Sequence, residues 1–168
     1  MPFAVNQSDN VAVQATLEGR AYQRLDADGK FVLAGRARIG TVEGIARTEA
    51  PPQTLFFSGG GGSVRGFEYL SNGVTVGGQT SGGLSLAELS GELRVNFDKS
   101  LGGVAFIDAG NVGANSFPDF GGDWRMGAGV GIRFNTGLGP LRIDVARALN
   151  RQAGDPNFAL YIGLGQAF

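Results

Sequence analysis

The chain of 168 residues has no cysteine and no histidine. Without thiols there are no disulfides and no thiolate metal sites, and without imidazole the commonest general base and zinc ligand are missing. Most hydrolytic machinery is therefore excluded; no enzyme activity, metal or cofactor is expected. Charge is also scarce, at 17% of residues, and it is balanced, with 14 Lys+Arg against 15 Asp+Glu. No basic field exists to hold nucleic acid. No run approaches the ~18 consecutive apolar residues of a membrane helix. Residues Met1 to Asn10 lack a basic start followed by an apolar core, so no export signal is read there.

What is abundant is glycine, with 30 residues, beside 42% hydrophobic residues and a mean hydropathy of +0.01. A near-zero mean does not exclude a membrane β-barrel, whose strands alternate apolar and polar and average out on any hydropathy scale.

Alternation is what the chain shows. From Val11 to Leu25, Val13, Ala15 and Leu17 share one face while Glu18, Arg20 and Tyr22 share the other. Period two over that length predicts a strand. Residues 26–30 form a hairpin turn in which Gly29 takes a positive φ, and a second strand runs from Phe31 to about Glu43. Further strands are expected from Leu84 to Phe97, from Gly102 to Gly113, from Trp124 to Thr136, from Gly139 to Leu149, and from Phe158 to the last residue. Gly137, Leu138 and Gly139 close a tight turn. On the polar faces lie Glu88, Glu92, Arg94, Asp108, Arg133 and Asp144.

The connections alternate short and long. The longest, residues 45–83, contains Pro51-Pro52, Gly59 to Gly62 and Gly77-Gly78. It far exceeds the usual ~4–6 residues and is expected to be functional or disordered. Short turns at one rim and long loops at the other are the pattern of outer-membrane barrels. A soluble β-sandwich or small barrel is the alternative, but its core faces would need bulky residues where this chain carries arginines, acids and glycines. The reading is therefore an all-β antiparallel transmembrane β-barrel, with the greasy faces in lipid and the polar faces around a wet lumen.

Apparent motifs of other classes carry little. Gly59 to Gly62 lacks the Lys-Ser/Thr of a phosphate loop and opens no helix. Gly127, Gly129 and Gly131 recur at period two, not as a dinucleotide fingerprint, and read as small lumen-facing residues where something packs closely. Glu92 and Asp108 could form an acid/base pair, although an arginine offered to both makes a structural ion pair the better reading.

The long loop contains Phe56-Phe57-Ser58-Gly59-Gly60-Gly61-Gly62-Ser63-Val64-Arg65-Gly66-Phe67. This resembles the VRGF/Y signature in the sixth extracellular loop of the Omp85 superfamily (surface antigen D15 type), and the FF-x-GG-x-x-S lead-in resembles its TamA branch. Three further segments match in order: Ser90-Gly91-Glu92-Leu93 after Gly82-Gly83, Ala105-Phe106-Ile107-Asp108-Ala109-Gly110, and Gly139-Pro140-Leu141-Arg142-Ile143-Asp144. The resemblance implies that residues 1–168 are the C-terminal half of one barrel domain, about seven strands of about sixteen. It also implies a loop folded back into the lumen, where Arg65, flanked by Val64, Gly66 and Phe67, meets Glu92 and Asp108.

The alternating run Phe158, Leu160, Ile162, Leu164 and Phe168, expected to share one face, resembles the C-terminal signal recognised by the barrel-assembly machinery. In the family this strand borders a lateral seam that can template an incoming strand. The implied function is assembly or translocation of unfolded outer-membrane proteins or autotransporters in the outer membrane of a Gram-negative bacterium. A passive porin-like or adhesive barrel is the rival. Seven strands leave two open edges, which lipid does not tolerate. The expected partners are therefore lipid, the N-terminal half of the barrel with periplasmic domains or a second copy of the chain, and substrate proteins.

Overall fold

The computed structural model describes residues 12–137 and 139–168. The described residues are almost wholly β. Strands β1 (Val13–Arg24) and β2 (Phe31–Glu43) form a hairpin, and a single 3₁₀ turn (Pro52–Thr54) and a small hairpin of β3 (Val74–Val76) and β4 (Gln79–Ser81) lie within the long loop. Then follow β5 (Ser85–Asn96), β6 (Leu101–Gly113), β7 (Arg125–Thr136), β8 (Gly139–Ala148) and β9 (Ala159–Leu164). The main sheet has seven strands in the order β1-β2-β5-β6-β7-β8-β9, all neighbours antiparallel. Among the described residues no helix is long and apolar enough to cross a membrane, so any crossing is made by strands.

The expected strands appear within a few residues of their predicted ends. The 26–30 turn holds Gly29 at φ +67. Val11 and Leu138, given to the first strand and to the 137–139 turn, lie outside the described residues, as does the segment before Val11; the pairing of Thr136 with Gly139 nonetheless makes that turn a two-residue connection.

The polarity of the sheet is inverted relative to a soluble protein. One face is apolar and open: Leu89 is 53% exposed, Val130 62% and Ile162 68%. Register lines these residues into rows. Leu33, Leu93, Ala105, Val130, Val145 and Leu160 are successive cross-strand partners on a single belt across six strands. The opposite, concave face buries charge, with Arg36, Glu88, Glu92, Asp108, Arg133 and Asp144 all buried. Exposed aliphatic belts this continuous mark a surface made for hydrocarbon. Strands β1, β2 and β5 to β8 have 10 to 13 residues each, as tilted crossing of a bilayer requires.

The long loop between β2 and β5 is an ordered plug. It enters on the concave side at Phe56, which pairs with Gly83 and packs with Val42, Leu84 and Leu86. It then turns at Ser58, paired with Asn72. Gly40 makes room for this entry, because a Cβ there would stand 2.4 Å from the Phe56 ring.

One expectation is corrected. Phe158, Leu160, Ile162 and Leu164 share the exposed face, but Phe168 does not; it is 7% exposed and lies on the concave side. The ladder of β9 ends at Leu164, and Gly165, at φ +93, takes a left-handed conformation that breaks the alternation. Beyond it the chain turns inward. The Phe168 ring stacks under the guanidiniums of Arg36 and Arg94, 5.6 and 5.3 Å from its centroid, and its carbonyl oxygen accepts a hydrogen bond from Arg94 at 3.3 Å. Contacts to two cations outweigh a place in the lipid-facing row.

Candidate functional site: an arginine clamped inside the sheet

The tip of the plug carries Val64, Arg65, Gly66 and Phe67, all buried on the concave wall. Val64 and Phe67 pack with Ala148 of β8, and the Arg125 guanidinium lies 4.5 Å from the Phe67 ring centroid. Gly66 has φ +104, and a Cβ there would meet the Ala148 amide nitrogen at 2.7 Å. Only glycine fits both the conformation and the space.

Arg65 is 1% exposed, and each of its three guanidinium nitrogens donates to a carboxylate. Its Nε and Nη2 grip the two oxygens of Asp108 at 2.7 and 3.0 Å, and its backbone N–H reaches Asp108 Oδ2 at 3.1 Å. Nη1 donates to Glu92 Oε1 at 2.7 Å and, at 3.4 Å, to Asp144 Oδ2. The guanidinium plane also covers the Phe106 ring, 3.4 Å from its centroid. Burial works against the charge; the hydrogen bond and charge of Asp108, followed by those of Glu92, more than offset it and raise Arg65 above its ordinary pKa. A planar fork with five donors suits this bidentate grip, which a lysine cannot reproduce.

The charges balance locally. Glu92, Asp108 and Asp144 face Arg65, Arg94 and Arg133: Arg94 binds Glu92 at 2.7 Å, and Arg133 binds Asp144 at 2.5 Å. A second anchor sits one turn of the loop earlier. Arg36 of β2 donates to the Gly62 carbonyl at 2.9 Å, and the Ser63 hydroxyl hydrogen-bonds Glu88, which also pairs with Arg36 at 3.5 Å. On the other flank Arg142 of β8 donates to the Gly61 carbonyl at 3.1 Å.

The glycines of β7 explain how the plug lies so close to the wall. A Cβ on Gly127 would meet the Arg65 carbonyl oxygen, one on Gly129 the Phe106 ring at 2.6 Å, and one on Gly131 the Asp144 carboxylate and Arg133. Gly127 thus makes room for the motif itself, and Gly129 and Gly131 for wall side chains that surround Arg65, in accord with their reading as positions of close packing.

Both acids assigned to Arg65 by resemblance touch it. Sequence reasoning missed Asp144, Arg133, Phe106 and the Ser63–Glu88–Arg36 anchor. Alternation places Asp144 and Arg133 on the polar sides of their strands, but not at the height of Arg65. The suggestion of an acid/base pair at Glu92 and Asp108 finds no support in the geometry, since each carboxylate is committed to arginine. Among the described residues no group of His, Cys, Asp or Glu is arranged to hold a metal ion.

A curved antiparallel sheet with a lipid-facing outside, a charged inside and a loop riveted to that inside is part of the wall of a membrane β-barrel with an internal plug. A family model described as the Omp85 superfamily domain matches residues 2–168. The chain belongs to the Omp85 superfamily. It is also similar to the crystal structure of BamA from Haemophilus ducreyi lacking POTRA domains 1–3, with a TM-score of 0.74 and 25% sequence identity. That likeness covers 93% of this chain and 35% of the BamA chain, so the present chain spans about a third of that relative's length.

Proposed function

We propose that the protein is an outer-membrane assembly or translocation factor of TamA-like type, working without enzymatic chemistry. It would insert or export β-barrel or autotransporter substrates through a lateral seam bordered by β9. The observation that carries this reading is the clamp. The clamp fixes one loop in one position against the wall, and such a specific lock is what a machine working through that loop needs.

Two further features support the reading. Strand β9 is the least extensively paired strand of the main sheet among the described residues, with six ladder pairs, and in this chain it stands, like β1, at an edge of the sheet. Such an edge can template an incoming strand by β-augmentation. The lead-in from Phe56 to Ser63 favours the TamA-like branch. In the intact protein, the N-terminal half of the barrel together with periplasmic domains, or a second copy, would close the open edges, and outer-membrane lipid would cover the apolar belts.

The test is Arg65→Ala in the full-length protein in cells. Loss of substrate assembly while the barrel still inserts supports the machine. Unchanged assembly would show a passive porin-like or adhesive barrel.

A further inference from the structure

Tyr161 is placed where the plug and the last strand meet. It projects from β9 onto the concave side and packs against Val104, Phe106 and Ala146. Its hydroxyl accepts the Gly66 N–H at 2.9 Å and donates to the Phe67 carbonyl at 2.7 Å. One phenol thus bridges the N–H of Gly66 and the carbonyl of Phe67, the two residues that follow Arg65. The plug backbone also passes close to the ring, since a Cβ on Gly61 would stand 3.0 Å from it.

The other large side chains of β9 take no part. Leu160, Ile162 and Leu164 face outward, and Tyr161 is the one β9 side chain that hydrogen-bonds to the plug among the described residues. The strand it belongs to makes six ladder pairs with β8, against the ten that join β8 to β7. Tyr161 is thus the side chain through which β9 is tied to the plug.

We propose that Tyr161 is a positioning residue that couples the two: with the Arg65 clamp closed it draws β9 against the plug, and with the plug withdrawn β9 loses its inward anchor and frays from β8. Coupling of this kind is reciprocal, so an incoming strand that pulls β9 outward would also loosen the plug. Its meaning for assembly rests on the seam reading above; the tether itself does not.

The test is amide hydrogen exchange on the full-length barrel folded into lipid bilayers without substrate, comparing wild type, Tyr161→Phe, Arg65→Ala and the double variant. Tyr161→Phe keeps the ring and removes only the hydroxyl. The expected result is exchange on the order of ten-fold faster for the β9 amides, with β5 and β6 unchanged. Arg65→Ala is expected to accelerate β9 similarly, and the double variant to add little more, because both break one linkage. Should Arg65→Ala fail to fold, Gly66→Ala displaces the plug in its place. Wild-type exchange in β9 of Tyr161→Phe, equal acceleration in every strand, or effects of the two substitutions that multiply would each overturn the tether. Faster β9 exchange with normal substrate assembly would uphold the tether and count against the assembly reading instead.

Discussion

A methyl group on Gly127 would stand 1.8 Å from the carbonyl oxygen of Arg65. The strand and the plug are thus in backbone contact, and the Asp108 side chain, on the register partner of Gly127, grips the same residue from the next strand. Position and charge are fixed at one height of the wall. Gly127→Ala is therefore expected to push the plug off the wall and destabilise the folded barrel by about 1–3 kcal/mol, the usual cost of overpacking. Gly62→Ala, in the same loop with open space around its Cβ position, serves as the control and should stay near wild type. Urea unfolding midpoints of the two variants, folded in detergent or bilayers, compare them directly.

The clamp also discriminates between cations. Arg65→Lys keeps the charge but cannot hold both oxygens of Asp108 while reaching Glu92. Hydrogen bonds to charged groups contribute roughly 1.5–3 kcal/mol. The expected outcome is a loss of that order, with the barrel still able to insert. A wild-type unfolding midpoint for Arg65→Lys would show that only the charge matters.

How much of this was legible beforehand depends on the residue. Strand positions were readable because each side chain of a half-lipid, half-wet strand announces its face: Leu89, Val130 and Ile162 point outward as their alternation requires. The close packing at Gly127, Gly129 and Gly131 was readable for the same reason, since period-two glycines in a strand vacate one face. What alternation does not specify is height. Asp144 reaches Arg65 because the register sets it opposite Gly131, which in turn lies opposite Val104, and that depends on turn geometry and pairing across three strands. Tyr161 joined the site by the same ladder, as the partner of Asp144. Phe168 was misplaced because alternation was carried through Gly165, where the backbone leaves the strand.

Register also predicts a non-additive pair. Asp144 and Arg133 neutralise each other beside Arg65. Asp144→Asn alone leaves Arg133 buried with a weakened partner and removes one carboxylate from Arg65, so a loss of roughly 3 kcal/mol is expected. Combined with Arg133→Gln, much of that loss should return, giving a coupling of about 1–3 kcal/mol in a double-mutant cycle of unfolding free energies. Strict additivity would mean that the pair is not an interacting unit.

The belt on the outer face carries the last prediction. Val130 sits mid-strand in a row with Ala105 and Val145, far from either rim of the sheet. If that row lies near the bilayer midplane, Val130→Arg must place a charge in hydrocarbon, at a cost of about 2–4 kcal/mol that falls to ~0–1 near the interfaces. Phe134, four residues along the same face toward the short turns, provides the shallow comparison. Folding into bilayers should therefore be impaired strongly by Val130→Arg and weakly by Phe134→Arg, read as the fraction of heat-modifiable barrel. Equal effects, or none, would place the row in water, and the apolar side of the sheet would then have to be covered by protein.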